Sequence, residues 1–335
     1  MARIAVIGAG AWGTALSMVL ARNGAHQVQL WAFEKEVCES ISARHVNQLF
    51  LPGFELPQSV CVTNDLATAA TDAEIVVSVM PSHHCRAVFK QIAASGSLKK
   101  DAVIVSATKG IEEGSLLRMT QVIAEVLAAS RHHIAAISGP SFAKEVARGD
   151  PTAITVASEN ADLAARVQRE FSDSRFRIYT SDDVAGVELG GSLKNVIAIA
   201  AGVCDGLGLG HNTIAALITR GLAEITRLAV ACGAKPPTLA GLAGMGDLVL
   251  TCTGGLSRNR SVGVELGKGH KLPEIIAGMH GMVAEGVHTT NAAIGLAQKY
   301  KIEMPITQQM HAILHQGKPP REAIHELMTR PGKVE

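Results

Sequence analysis

At 335 residues, 47% of them hydrophobic and 18% charged, the chain is long enough for two packed domains and too apolar to stay unfolded. Its 31 Lys and Arg residues against 30 Asp and Glu leave a formal net charge of +1, so no global field draws it to nucleic acid or to an acidic membrane, and an anionic ligand must meet a local basic site. Cys38, Cys61, Cys85, Cys204, Cys232 and Cys252 lie far apart with no Cys-x-x-Cys pair, unlike a disulfide scaffold or a zinc ribbon; they read as reduced thiols in a cytoplasmic protein.

The first stretch, "RIAVIGAGAWGTALSMVLARNG", is a β-branched strand, then Gly8-x-Gly10-x-x-Gly13, then an apolar-periodic helix that stops at Gly24. The glycines interrupt what would otherwise pass for a signal peptide. Each has a use: Gly8 for the tight turn, Gly10 for close approach of a pyrophosphate, and Gly13 for helix–strand packing, with the helix N-terminus offering amides to phosphate. A second strand, "QVQLW", ends at Trp31 and supplies the context this motif needs. The segment reads as a dinucleotide site. Beyond that strand, an adenine ribose would meet Ala32, Phe33, Glu34 and Lys35. Glu34 is placed to hold a 2′-hydroxyl and repel a 2′-phosphate, Phe33 offers a stacking surface, and Lys35 can offset the charge. Both NAD and NADP are therefore expected as cofactors.

Further β-branched runs follow, "EIVVSVM", "AVIVSATKG", "IAAISGP", "TAITVAS" and "FRIYTS", separated by helical segments. This alternation predicts an α/β domain with a largely parallel sheet. Lys109 falls at the carboxyl end of "AVIVSATKG", where open parallel sheets bind ligands. In "SGPSFAKEV", Gly139, Pro140 and Ser141 form a turn before a short helix, and its amides suit a phosphate or a substrate oxygen.

From about residue 184 strands give way to helical patterns at 184–203, 211–232, 289–300 and 305–316. The expected organisation is a Rossmann-type parallel-sheet domain over 1–183 and an all-α domain over 184–335. No apolar run outside the N-terminus approaches the roughly 20 residues that cross a bilayer, so stable membrane insertion is not expected. An exposed apolar helix in the second half is the candidate surface for a homodimer.

Lys194 lies in "ELGGSLKNVIAIAAG", and on a helical period its neighbours are Gly190, Gly191, Ile197 and Ala198. No carboxylate stands three or four positions away. Either its stem packs on apolar surface while the ammonium reaches water, or it is a desolvated lysine in a cleft, suited to proton transfer. In "GMGDLVLTCTGGLSRNR", Thr251 follows Asp247 by four positions, on one face if helical. The run Ser257-Arg258-Asn259 then presents hydroxyl, guanidinium and amide donors suited to phosphate. His311 and His315 share helical spacing without a third ligand, and the pairs His83–His84 and His132–His133 read as surface residues; no metal is expected. There is no Gly-x-Ser-x-Gly elbow and no Walker A pattern.

The ordered set "GAGAWGTALS", "NQLFLPG", "ATKG", "SGPSFA", "GGSLKNVIAIAAG", "GMGDLVLTC" and "SRN" resembles the bacterial NAD(P)-dependent sn-glycerol-3-phosphate dehydrogenases, from the first strand to about residue 325. The resemblance implies interconversion of dihydroxyacetone phosphate and sn-glycerol 3-phosphate, supplying glycerophospholipid synthesis, with Lys194 as the proton donor and acceptor. It implies that Lys109 contacts cofactor and substrate, and that the phosphorylated substrate lies near Gly139, Ser141, Asp247, Ser257, Arg258 and Asn259. It places Trp12, Ala143, Arg258, Val283 and Glu285 near the cofactor and gives Asn195 and Thr251 supporting roles. Two positions depart from the family pattern: Ala11 where many members have serine, and Phe33 where they have arginine or histidine. A 3-hydroxyacid or 6-phosphogluconate type dehydrogenase shares the build and the lysine–asparagine pair. A non-catalytic NAD(P)-binding protein would keep the glycine loop but has no need of Lys109, Lys194 and Asp247 together.

Overall fold

The computed structural model describes residues 2–334 apart from 23, 25, 128–132, 280–281 and 333. They form two compact units, Met1–Lys109 with Leu117–Glu188, and Gly110–Leu116 with Leu189–Glu335. In the first unit, β1 (Ala2–Ile7), α1 (Ala11–Arg22), β2 (His26–Trp31), α2 (Lys35–Arg44) and β3 (Val60–Thr63) are followed by α3 (Leu66–Ala70), β4 (Ile75–Ser78), α4 (Cys85–Ser95) and β5 (Val103–Ser106). Then come α5 (Met119–Val126), β6 (His133–Ser138), α6 (Ala143–Arg148), β7 (Thr152–Ala157), α7 (Ala161–Phe171) and β8 (Phe176–Ser181).

The eight strands make one sheet in the order β3-β2-β1-β4-β5-β6-β7-β8. Every pairing is parallel except β6 with β7. Strand order reverses at β1 and β4, and in such sheets ligands bind beyond the carboxyl ends at that point. The apolar runs need no alternation because both faces are covered. Val6, Leu30, Val77 and Val105 pack with Leu16, Val146 and Val167 of α1, α6 and α7. Ile7, Val76 and Ile104 pack on the other face with Phe89 and Ile123 of α4 and α5. Full burial of each such side chain is worth about 1.5–3 kcal/mol.

The sequence pattern hid β3. Only Val60 of its four residues is buried, with Val62 partly buried against the same core, and an edge strand this short does not stand out as an apolar run.

The helices α8 (Val184–Gly206), α9 (His211–Ala231), α10 (Pro236–Ala240), α11 (Asp247–Thr253) and α12 (Arg258–Gly267) follow. After them come α13 (Leu272–Ala277), α14 (Glu285–Tyr300), α15 (Pro305–Gln316) and α16 (Pro320–Met328). Asp183 Oδ1 accepts the Gly186 amide at 2.8 Å, which caps the start of α8. By length and composition α8 is apolar enough to cross a membrane, contrary to the expectation from sequence, but its whole apolar window is buried in the protein. Within the second unit α8 and α12 meet through glycines: a Cβ on Gly202 would stand 2.0 Å from the Arg260 carbonyl oxygen, and one on Gly263 would stand 2.0 Å from that of Ile199. That backbone-to-backbone contact fixes where α12 begins relative to Lys194.

The histidine pairs lie at the surface where they are described. His83 and His84 are both exposed, their rings 4.0 Å centroid to centroid in a tight turn ahead of α4. His133 opens β6 with an exposed side chain, and His132 lies outside the described residues. The rings of His311 and His315 lie 5.1 Å apart on α15, as helical spacing requires.

Candidate active site

The glycine loop joins β1 to α1. Gly8 has φ +122°, and a Cβ there would stand 2.3 Å from the Val79 carbonyl oxygen; one on Gly13 would stand 1.9 Å from the Gly8 carbonyl oxygen. Any side chain at either position would force the turn apart. Gly10 differs, because nothing lies within 4 Å of its Cβ direction. That open cradle, backed by the first turn of α1 whose amides have no intrahelical acceptor, fits a pyrophosphate. Ala11 and Trp12 begin α1, and the Trp12 ring packs 6.5 Å from Phe176.

Past β2, Phe33 is 76% exposed and meets Trp31 edge-on at 6.1 Å. Glu34 precedes α2 without a capping hydrogen bond from its side chain. At the carboxyl ends of β5 and β6, Lys109 Nζ donates to the Gly139 carbonyl at 3.5 Å, and Ser141 Oγ donates to the same oxygen at 2.9 Å. Gly139 has φ +153° and its Cβ would stand 2.8 Å from Ile154 Cα. The first unit thus brings Lys109, Gly139 and Ser141 together, with Ala143 opening α6 just beyond.

In the second unit Lys194 is 5% exposed and Asp247 2%. The reading of Lys194 as a lysine that reaches for water is thereby overturned. Lys194 Nζ stands 2.9 Å from Asp247 Oδ1 and donates to Thr251 Oγ1 at 2.6 Å. Thr251 in turn donates to the Asp247 carbonyl at 2.6 Å. Helical spacing on α11 therefore presents carboxylate and hydroxyl to the lysine from one face. A π-type turn over Leu242–Gly246 leads into α11, and Gly190 of α8 makes room for it, since a Cβ there would stand 2.7 Å from the Ala243 carbonyl oxygen. Burial pushes the neighbouring Cys252 thiol up to about 12, so it stays protonated and unreactive near neutrality.

Asn195 and Asn259 are also buried. Asn259 Nδ2 donates to Asn195 Oδ1 at 2.9 Å, and its Oδ1 accepts the Gly286 amide at 2.9 Å. Ser257 caps α12 by accepting the Arg260 amide at 3.2 Å. Arg258 follows with a side chain that reaches solvent. Surrounding protein still lowers its proton affinity, against the opposing pull of Glu285, yet a guanidinium remains charged at any physiological pH. Glu285 opens α14, and Val283 precedes it, half-buried.

One residue of this region carried no assignment from sequence. Ser192 Oγ accepts the Gly110 amide at 2.9 Å and donates to the Gly110 carbonyl at 3.2 Å, which pins the peptide that follows Lys109. A serine in a helix gives no sign of such a remote partner.

A doubly wound sheet with an open glycine cradle, followed by helices that bury a lysine against a carboxylate, defines a nicotinamide-dinucleotide dehydrogenase of the two-part kind. Residues 3–164 match the NAD-dependent glycerol-3-phosphate dehydrogenase N-terminus, and residues 183–325 match the C-terminus of the same family. The chain belongs to that family. It is 68% identical to glycerol-3-phosphate dehydrogenase [NAD(P)+] of Koribacter versatilis, over 100% of this chain and 99% of the relative. With the enzyme of the same name from Acidobacterium capsulatum it shares 56% over the full length of both. The crystal structure of glycerol-3-phosphate dehydrogenase from Coxiella burnetii superposes with a TM-score of 0.93 at 42% identity, covering 98% of this chain and 99% of that one. A ketopantoate reductase from Ralstonia eutropha, at 18% identity and a TM-score of 0.60, shares the fold alone.

Proposed function

We propose that this chain interconverts dihydroxyacetone phosphate and sn-glycerol 3-phosphate, with Lys194 giving and taking the proton. Family membership supplies the reaction, and the observation that carries the residue assignment is the buried Lys194–Asp247–Thr251 group. Replacing a buried ion pair with apolar residues is often neutral or stabilising, so stability alone does not account for one here, whereas proton transfer does. A nicotinamide dinucleotide, NAD or NADP, supplies or accepts the hydride at C2 of the substrate.

In the reductive direction the oxygen on C2 gains negative charge, and a proton must reach it. Lys194 Nζ donates that proton and stabilises the charge as it develops. Asp247 and Thr251 fix the direction of two of the ammonium N–H bonds. In the oxidative direction the same nitrogen, as the neutral amine, takes the hydroxyl proton back, and the ammonium so formed is held by Asp247. Asn195 and Asn259 lock the helix starts around this group. Arg258, with Ser257 and Asn259 at the start of α12, binds the substrate phosphate. Lys109, with Gly139 and Ser141, contacts dinucleotide and substrate. Gly8, Gly10, Ala11, Trp12, Gly13, Phe33, Glu34, Ala143, Val283 and Glu285 complete the dinucleotide contacts.

In this reading residues 1–183 serve the dinucleotide and 184–335 serve substrate and catalysis. The reaction supplies glycerol 3-phosphate to glycerophospholipid synthesis in the cytoplasm. A homodimer would use the helical unit's apolar surface, where Met245, Val249 and Leu256 are 42%, 41% and 45% exposed.

Lys194→Ala is expected to lower turnover with dihydroxyacetone phosphate by about 10²–10⁴-fold while leaving the dissociation constant for NADH or NADPH within about threefold, roughly 0.7 kcal/mol. Unchanged dinucleotide binding shows that the protein is folded. A variant that keeps more than half of the wild-type turnover removes Lys194 from the chemistry.

A further inference from the structure

The "NQLFLPG" stretch has so far been given no role. Its first residue, Asn47, is 0% exposed and lies on the segment between α2 and β3. That segment is stapled shut: Val46 bridges Glu55, the Leu56 amide donates to the His45 carbonyl at 2.7 Å, and the Leu51 amide donates to the Asn47 carbonyl at 3.0 Å. The Asn47 side chain therefore has a fixed origin. Its Nδ2 donates to the Ala9 carbonyl at 2.7 Å and to Thr14 Oγ1 at 2.8 Å, and its Oδ1 accepts the Phe50 amide at 3.0 Å. Both amide protons and the carbonyl are thus engaged. The reverse orientation would set Oδ1 against the Ala9 oxygen, acceptor against acceptor, so the network itself fixes which end is which.

We propose that Asn47 is a positioning residue that aims the Gly10 amide of the glycine loop at the dinucleotide pyrophosphate. A peptide group is planar and trans, so the Ala9 C=O and the Gly10 N–H of one peptide point in opposite directions. Holding the carbonyl towards Asn47 turns the amide away from it. Gly10 is the loop position whose Cβ direction is open for 4 Å, so the amide serves the side on which a phosphate can approach. Thr14 supports the arrangement: its Oγ1 donates to the same Ala9 oxygen at 3.3 Å, and its amide donates to the Gly10 carbonyl at 2.9 Å. The loop's backbone shape comes from Gly8 and Gly13, and the direction of its central peptide comes from Asn47. An amide already turned need not be reordered on binding, which is where the gain in affinity arises.

The inference rests on reading the glycine loop as the dinucleotide site, and the test separates the two. NADH and NADPH are titrated against wild type, Asn47→Asp, Thr14→Val and Thr14→Ser by nicotinamide fluorescence, with steady-state constants and thermal midpoints measured alongside. Asn47→Asp keeps the shape and the Phe50 contact but loses both donors. It is expected to weaken dinucleotide binding about tenfold, equivalent to about 1.4 kcal/mol, and to raise the dinucleotide KM to match. The KM for dihydroxyacetone phosphate and kcat at saturation should stay within twofold. Thr14→Val should shift the dinucleotide constant in the same direction, and Thr14→Ser should restore it. A folded Asn47→Asp that binds as wild type does, with only its thermal midpoint lowered, makes Asn47 merely structural and overturns the proposal. Should Asn47→Asp fail to fold, Thr14→Val decides by the same measure. A wild-type protein that binds neither dinucleotide overturns the underlying reading instead.

Discussion

In the proposed reading, the choice between the two nicotinamide cofactors rests on two side chains past the end of β2. Glu34 makes no capping bond with α2, which leaves its carboxylate available to a ribose 2′-hydroxyl and opposed to a 2′-phosphate. Phe33, 76% exposed, offers a ring face but no charge. Both cofactors are expected to work, with Phe33→Arg shifting the ratio of kcat/KM values towards NADPH by about tenfold, roughly 1.4 kcal/mol. A wild-type preference for NADPH near 100-fold, about 2.7 kcal/mol, would mean that another basic group already binds the phosphate. Arg258 calls for a different signature. In the proposed role it holds phosphate in ground and transition states alike, so Arg258→Ala should raise the KM for dihydroxyacetone phosphate at least tenfold and lower kcat far less. An unchanged KM would place the substrate phosphate elsewhere. Local composition announced these residues, because a charged or glycine-rich cluster beside an apolar run is visible in one dimension. Asp247 as the partner of Lys194 was legible only through the family resemblance, since the two stand far apart in sequence and only the fold of α8 against α11 joins them.

At the scale of elements, α15 shows a helix whose own sequence supplies no capping side chain. Met304 occupies the N-cap position with no side chain able to cap, and Pro305 follows. The cap comes from α9. Glu224 is 2% exposed, its Oε1 accepts the Ile306 amide at 2.7 Å, and its Oε2 accepts the Thr307 amide and hydroxyl, each at 3.2 Å. Glu224→Ala leaves those amides buried without acceptors and should cost about 1–3 kcal/mol in urea denaturation, with kcat unchanged. The carboxyl has its own pH signature. Burial raises its proton affinity above the ordinary 4.5, against the lowering effect of the Ile306 and Thr307 hydrogen bonds. A raised folded-state value means that its contribution to stability is fully present below the unfolded value and fades as pH rises through the folded one. Glu224→Gln does not titrate, so its stability relative to wild type should climb as pH increases from about 4.5. A constant difference between pH 4 and 8 would show that the carboxyl is ordinary. Strands β1, β2 and β4–β8 were legible as β-branched apolar runs, and the long helices by their length and helical pattern. The short helices α10–α13 and edge strand β3 were not, since their shapes are set by neighbours: the π-type turn before α11 exists because Gly190 gives it space.

The whole molecule is assembled from two units that do not each take a continuous stretch of sequence. Residues Gly110–Leu116 belong with Leu189–Glu335, although Leu117–Glu188 returns to the first unit. Within the second unit that short segment is tightly held. Gly110 exchanges two hydrogen bonds with Ser192, Ile111 is 2% exposed, and Glu113 pairs with His288 at 3.2 Å. Leu116 closes against Gly295, where a Cβ would stand 2.9 Å from its Cδ2, and adopts φ +60°, a conformation that costs a leucine about 1–2 kcal/mol. Such strain persists only where surrounding contacts outweigh it. Periodicity could not show this, because seven residues without a repeat look like any other loop. The segment acts as a plug for the helices, and a cut at the natural end of the first unit removes it. A fragment of residues 189–335 should therefore melt without a cooperative transition. Joining residues 110–116 to its N-terminus through a flexible Gly/Ser linker should restore one, since burying Ile111 alone returns about 1.5–3 kcal/mol. Residues 1–188, which contain the glycine loop and Asn47, should still bind NADH. Calorimetry of the two helical fragments decides the matter: a bare 189–335 that melts as sharply and as high as the plugged form would show that the segment is a passenger on the helices and contributes nothing to their stability.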